Sequence, residues 1–371
     1  MYGHIFRKIL YAWMHGVMII YPRCNYAAGI IYRVRNMTIE NTNKNRILVT
    51  GAAGFIGSNL CKRLLDENIH VIGIDNLNDY YDVSIKVNRV NELKYYKNFV
   101  FHKIDLFDMD KLDNLFKEEG FNIVVNLAAQ AGVRYSIENP RTYMNSNLMG
   151  FFNILECCRY HKVEHLVYAS SSSVYGGNKK VPYSVNDNVD KPISLYAATK
   201  KSNELLAHVY SNLYNIPCTG LRFFTVYGPN GRPDMAYYSF AQNIMNGKPI
   251  KVYNNGDMYR DFTYIDDVVD GIYRAIFKVP DCNDEGIRYK LYNIGRGKPE
   301  KLTYMIECLE KELGKKAIIE YMPMQPGDVY QTYADISESV NDLNYDPKID
   351  LKYGIHEFAK WYINKFELKE E

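Results

Sequence analysis

The stretch Arg46-Ile-Leu-Val-Thr-Gly-Ala-Ala-Gly-Phe-Ile-Gly-Ser-Asn-Leu60 decides the fold. Ile47, Leu48 and Val49 form a short apolar run, as expected of a strand buried on both faces. Gly51, Gly54 and Gly57 follow at once, and Leu60, Leu64 and Leu65 then fall on one side of a helix. A strand that turns through glycines into a helix presents unpaired backbone N–H groups and a positive dipole end to a diphosphate. Gly51 serves the tight turn, Gly54 lets phosphate approach the backbone, and Gly57 lets helix and strand pack closely. The spacing is G-x-x-G-x-x-G, and glycine triplets also arise by chance. The weight of the signal therefore comes from the strand and helix on either side.

The next strand, His70-Val-Ile-Gly-Ile-Asp75, ends in a carboxylate about 20 residues beyond the glycines. An acid there accepts hydrogen bonds from ribose hydroxyls and repels a 2′-phosphate, which favours NAD over NADP. Strands and helices then alternate. Phe99 to Ile104 reads as a third strand, running into Asp105 and Leu106 beside the adenine. Lys111 to Glu119 reads as a helix, and Ile123 to Leu127 as a fourth strand. Ala128, Ala129 and Gln130 at its end are small or polar, as a cofactor wall requires. Tyr143 to His161 reads as one long helix, His165 to Ala169 as a fifth strand, Ser194 to Tyr214 as a helix and Thr219 to Phe224 as a sixth strand. Phe55, Ile56, Asn76, Leu127 and Ser146 complete the expected cofactor set.

The fold class is therefore α/β, a Rossmann-type doubly wound parallel sheet with a smaller α+β substrate-binding lobe. Residues 46–224, with about 261–280, are expected to form the NAD-binding domain. Residues 225–260 and about 281–371 are expected to form the lobe, the first of these stretches being rich in Gly, Pro, Asn and Tyr. Tyr264 to Phe277 reads as a helix.

Composition sets bounds. The chain is 47% hydrophobic and 24% charged, the balance of an ordinary globular protein. The net charge of +2 is unevenly spread: residues 1–46 hold seven Lys and Arg against one Glu, so the remainder is slightly acidic. That excludes the body as a nucleic-acid binder. Seven cysteines without C-x-x-C pairing read as buried thiols in a reducing, cytoplasmic compartment, with neither a disulfide framework nor a metal site. Residues 1–45 are basic, aromatic and interrupted. Their apolar run, Ile9 to Tyr21, falls short of the roughly 20 residues of a transmembrane helix. Three readings stay open for this extension: peripheral contact with a membrane interface, a helix packed on a partner, or an ill-ordered tail. No cleavage site of the secretory kind follows it.

The chemistry centres on Tyr196-Ala-Ala-Thr-Lys200, whose i,i+4 spacing puts phenol and ammonium on one helix face. An ammonium lowers the pKa of a nearby phenol, and the phenolate can remove a sugar hydroxyl proton while hydride leaves the same carbon. Ser170 to Ser173, at the end of a buried strand, supply hydroxyls that can bridge Tyr196 to the reacting oxygen.

With these residues in this order, the chain resembles the extended short-chain dehydrogenase/reductases that act on nucleotide sugars, and more narrowly the UDP-glucuronate 4-epimerases. The resemblance runs from Arg46 to about Tyr362. It is carried by Thr50 to Gly57, Gln130 to Ser136, Ser170 to Gly176, Tyr196 to Lys200, Leu221 to Pro229, Gly231 to Ala236, Arg260 to Asp267 and Gln325 to Val329. It implies that Tyr196 and Lys200 are catalytic and that Ser171 is the hydroxyl assisting the tyrosine. It further implies that Ser172, Ser173, Thr225 and Arg232 meet the sugar carboxylate. Arg260 then matches a diphosphate ligand, Lys251-Val252-Tyr253 the uracil-side strand, and Gln325 and Asp328 a further substrate-binding stretch. Arg232 also has a physical case, since a guanidinium holds a carboxylate through two parallel hydrogen bonds.

The implied reaction interconverts UDP-glucuronate and UDP-galacturonate by C4 oxidation, rotation of the 4-keto intermediate and re-reduction with bound NAD, within a homodimer. Asn230 departs from the pattern, standing where a Trp is expected. Related decarboxylases and dehydratases carry Ser-Glu or Asp-Glu where this chain has Ser172 and Ser173, so the acid that would promote loss of CO2 or water is missing. A UDP-glucose/UDP-galactose 4-epimerase is the nearer rival, with Arg232 against it. A non-catalytic NAD-binding protein is the more distant one, with the Tyr196–Lys200 pair against it.

Overall fold

The inner strands of the central sheet owe their place to the apolar patterns that suggested them. The computed structural model describes residues 46–325 and 327–367, so the reading of residues 1–45 lies outside the described residues. Strands β1 (Arg46–Thr50), β2 (His70–Asp75), β3 (Phe99–Lys103), β4 (Ile123–Asn126), β5 (His165–Ser171) and β6 (Cys218–Phe223) join one parallel sheet. In β1, Ile47 and Val49 face one apolar cluster and Leu48 the other, all fully buried. Burying each such side chain contributes about 1.5–3 kcal/mol, and covering both faces is why these strands read as continuous hydrophobic runs.

A seventh strand corrects the expected layout. Tyr289–Ile294, in the stretch assigned to the lobe, pairs parallel to Cys218–Phe223 and closes the sheet edge. Only its second half is buried, so its sequence lacks the unbroken apolar run that marks the others. With the short β7 (Thr225–Tyr227), β8 (Ile250–Tyr253) and β9 (Tyr259–Tyr264) intervening, this edge strand is β10. The order is β10-β6-β5-β4-β1-β2-β3. The order reverses between β1 and β4, and a crevice at that switch point is where such sheets bind ligands. Beyond the sheet, β7 pairs parallel with β9, which pairs antiparallel with β11 (Pro299–Lys301). A separate two-stranded sheet joins β8 to β12 (Ile319–Met322).

The helices start where their caps allow. The first, α1 (Phe55–Asp66), follows Gly54, which offers no side-chain cap. Asp82 caps α2 (Val83–Leu93) by accepting from the Ser84 N–H at 2.9 Å, and Asp108 caps α3 (Met109–Glu119). The long helix expected over Tyr143–His161 forms, with helical backbone at each junction and a π-helical turn inside it. Two short turns, α4 (Tyr135–Glu138) and α5 (Pro140–Tyr143), lead into a π-helical turn at Met144–Met149 and then α6 (Gly150–Tyr160). Ser194 caps α7 (Leu195–Tyr214) by accepting from the Ala197 N–H at 3.1 Å, an interaction worth about 1 kcal/mol. That cap fixes Tyr196 in the first turn of α7 and Lys200 in the second.

Candidate active site

A cavity of about 750 Å³ opens at the carboxyl ends of β1 to β6. On its floor is the glycine turn. Gly51 has φ +70°, and a Cβ there would lie 2.8 Å from the Ala128 nitrogen. At Gly57 a Cβ would fall 2.0 Å from the Gly51 carbonyl oxygen, so only glycine lets α1 sit this close to β1. Gly54, Phe55, Ile56 and Gly57 line the cavity at the uncapped start of α1, whose first turn carries no acidic residue. Free N–H groups and a positive helix end thus face the space, as a diphosphate needs.

Around this floor the cavity is lined by Asp75, Asn76, Asp105, Leu106, Leu127, Ala128, Ala129, Gln130 and Ser146. Asp75 accepts from the N–H groups of Leu77 (2.8 Å) and Ala53 (3.3 Å), while burial pushes its carboxyl up. Asn76 donates to Asp105 at 2.8 Å, tying the ends of β2 and β3. The Thr50 hydroxyl donates to Asn126 at 2.7 Å and accepts from the Ala128 N–H at 3.0 Å, which sets the small residues after β4 against β1.

The opposite wall holds Ser171, Ser172, Ser173, Tyr196, Lys200, Thr225, Arg232 and Asp328. Burial pushes the Tyr196 phenol up, while its hydrogen bond with Ser171 and the positive charge of Arg232 pull it down. Lys200, one helical turn further along α7, lines the same cavity. Its Nζ donates to the Ala169 carbonyl at 2.8 Å, and burial pushes this ammonium down to about 8.

Five residues taken from the resemblance do not line this cavity: Lys251, Val252, Tyr253, Arg260 and Gln325. Val252 is fully buried in the core, because alternate positions of β8 point inward, while Lys251 is exposed. Arg260 donates to the backbone carbonyls of Tyr259 (2.9 Å) and Tyr330 (3.1 Å). Tyr253 does reach the margin, since the guanidinium of Arg134, a cavity residue, lies 4.6 Å from its ring centroid. Asn230 stands at φ +59°, a left-handed conformation that Asn tolerates far better than a Trp would.

A model of the NAD dependent epimerase/dehydratase family matches residues 47–295. The chain belongs to that family. Among its relatives, protein CapI of Staphylococcus aureus is 51% identical over 87% of this chain and 99% of its own. UDP-glucuronate 4-epimerase 1 of Arabidopsis thaliana is 45% identical over 86% of this chain and 77% of its own. The solved UDP-glucuronic acid 4-epimerase of Bacillus cereus, in complex with UDP-glucuronic acid and NAD, superposes with a TM-score of 0.80. It shares 35% identity over 86% of this chain and all of that one.

Within this family frame several residues stand out that no spacing rule had flagged. Asn147, buried in the π-helical turn, accepts from the Gln130 N–H at 2.8 Å and donates to its carbonyl at 3.0 Å and to Thr199 at 3.1 Å. It locks the cavity wall after β4 to the helix bearing Tyr196. Glu204 accepts from Ser170 (2.6 Å) and from two nitrogens of the buried Arg222 (2.8 and 2.9 Å), which braces the serine run from behind. Arg134 pairs with Asp328 at 3.3 Å. Tyr80, Lys86 and Asp234 also line the cavity. Asn147, Glu204 and Arg134 meet partners 17 or more residues away, and lone Asn, Glu or Arg residues carry no signal of their own.

Proposed function

We propose that this protein is a UDP-glucuronate 4-epimerase, an isomerase that interconverts UDP-glucuronate and UDP-galacturonate with bound NAD. The observation that carries the substrate is Arg232. A guanidinium, four hydroxyl residues and the Tyr196 phenol share one cavity wall opposite a dinucleotide-type glycine turn. The relatives' names and the ligands of the Bacillus cereus structure support the same reading.

The residues present fit NAD. The uncapped start of α1 would hold the diphosphate, Asp75 the adenosine ribose, and Asp105 and Leu106 the adenine side. When bound, NAD supplies the acceptor and donor of a hydride at the sugar's C4. Tyr196 takes the proton of the C4 hydroxyl and returns it at the end of the cycle, with Ser171 hydrogen-bonded to the phenol to carry it. Lys200, held by the Ala169 carbonyl, keeps a positive charge beneath the site. The sugar intermediate is a β-keto acid, which loses CO2 when its carboxyl C–C bond aligns with the ketone π system. Arg232, Thr225, Ser172 and Ser173 hold the carboxylate out of that alignment. The chain has no acid at Ser172 or Ser173 to promote elimination.

In this reading, residues 46–224 and about 261–280, with the edge strand β10, form the NAD-binding domain, while 225–260 and the rest of about 281–367 close over the UDP-sugar. The molecule acts as a homodimer, paired through α6 and α7, where Phe152, Leu205, Val209 and Leu213 are exposed apolar residues. Among the described residues, no helix is long and apolar enough to cross a membrane.

Proton NMR of the protein incubated with UDP-glucuronate tests the function: UDP-galacturonate should accumulate without added NAD. Arg232→Ala should slow that conversion and raise the fraction released as a decarboxylated pentose. An unchanged rate and product ratio in that variant would remove Arg232 from the sugar pocket.

A further inference from the structure

Arg232 already holds a carboxylate. Its Nε donates to Asp234 Oδ1 at 2.9 Å and its Nη2 to Asp234 Oδ2 at 2.5 Å. A guanidinium offers two edges with paired N–H groups, the side-on Nε–Nη2 edge and the end-on Nη1–Nη2 edge. Asp234 takes the side-on edge. Among the described residues, Nη1 has no hydrogen-bond partner. Tyr80 adds a third bond, its hydroxyl donating to Asp234 Oδ2 at 3.2 Å, and its ring packs on Tyr135 with centroids 4.7 Å apart. All four side chains line the cavity.

The backbone entering Arg232 is held as well. Arg89 of α2, only 3% exposed, donates to the carbonyls of Asn230 (2.6 Å) and Gly231 (3.1 Å). Its Nη1 donates to the Ala53 carbonyl within the glycine turn at 2.9 Å. The loop bearing Arg232 and the side chain itself are thus anchored separately.

We propose that Asp234 is a positioning residue that determines specificity for the sugar acid. It grips Arg232 by the side-on edge, so that the end-on edge is presented to the substrate carboxylate. This rests on the reading of the site as one for a UDP-linked uronic acid.

The test is Asp234→Asn, which keeps the shape but replaces one acceptor by a donor and removes the charge. The KM for UDP-glucuronate should rise about tenfold, as small misplacements of a binding group do. The fraction of product lost as pentose should rise with it. The affinity for UDP-glucose, measured by calorimetry, should stay at the wild-type value, because that sugar has no carboxylate to misplace. A general loss of structure would instead weaken both ligands and reduce the NAD retained. Tyr80→Phe, which removes only the third bond to Asp234, should move KM and product ratio in the same direction by less. It decides the matter where Asp234→Asn fails to hold NAD. A lower KM in Asp234→Asn would make Asp234 a competitor for the fork, and unchanged values would make it a bystander; either result overturns the proposal. Failure of the wild-type protein to convert UDP-glucuronate at all would overturn the functional reading on which it stands.

Discussion

Tyr196 rests as a phenol because burial disfavours its charge, and Ser171 and Arg232 offset that cost only in part. Tyr196→Phe should therefore retain NAD but lose about 10²–10⁴-fold in epimerisation, the usual contribution of a positioned acid–base group. Ser171→Ala has a subtler signature. The Ser171 hydrogen bond lowers the phenol's pKa, so removing it should move the rising limb of the rate–pH profile to higher pH. A pH profile of single-turnover rates for wild type and Ser171→Ala measures this. A Ser171→Ala profile lying at lower pH than wild type would contradict the assignment.

At the scale of elements, the cofactor cradle depends on how closely α1 approaches β1. Gly57→Ala places a methyl carbon 2.0 Å from the Gly51 carbonyl oxygen, and backbone rather than a flexible side chain must move. Overpacking of this kind costs about 1–3 kcal/mol, and here it displaces the N–H groups that meet the diphosphate. Extraction of the purified protein should yield NAD in excess over NADP from wild type and little of either from Gly57→Ala. A full complement of NAD in the variant would show that the helix tolerates the shift. On the far side of the sheet, Leu205, Val209 and Leu213 recur every four residues along α7 and are all exposed. If they bury against a second copy, light scattering at micromolar concentration should find a dimer. Leu205→Glu with Val209→Glu should then give a folded monomer.

Across the whole molecule, one contribution to acid sensitivity comes from a histidine whose burial resists its charging. His165 is fully buried in β5, bonded to the Ile276 carbonyl (3.1 Å) and the Thr219 hydroxyl (2.9 Å), and burial pushes its pKa down to about 4. Between its ordinary value of 6.5 and 4, the unfolded chain takes up a proton that the folded chain refuses. Stability therefore falls as the pH drops through that window and levels off below it, by about 3 kcal/mol for this one group. His165→Gln removes the titration, so its urea midpoint should depend less on pH between 7 and 4 than that of wild type. Parallel curves for the two proteins would refute the account.

The sequence by itself determined the doubly wound sheet, the glycine turn, Asp75 and the Tyr196–Lys200 helix. In each case the signal is local: a buried parallel strand must be apolar throughout, a tight turn needs glycine, and a helix repeats its faces every three to four residues. Tertiary structure alone decided what lies between distant segments. The edge strand Tyr289–Ile294 is half exposed and so lacks the apolar run of its neighbours. The π-helical turn at Met144–Met149 is tied by Asn147 to Gln130 and Thr199, partners that no sequence period connects. Lys200 shares a helix face with Tyr196 as its spacing requires, yet it bonds the end of β5, because only the packing of α7 on the sheet brings that carbonyl within reach. The sequence offers Arg232 as a candidate carboxylate ligand, and it lines the cavity with Tyr196. That Asp234 occupies one edge of it, with Tyr80 and Arg89 bracing the arrangement from across the cavity, follows from side-chain geometry that residue order does not encode.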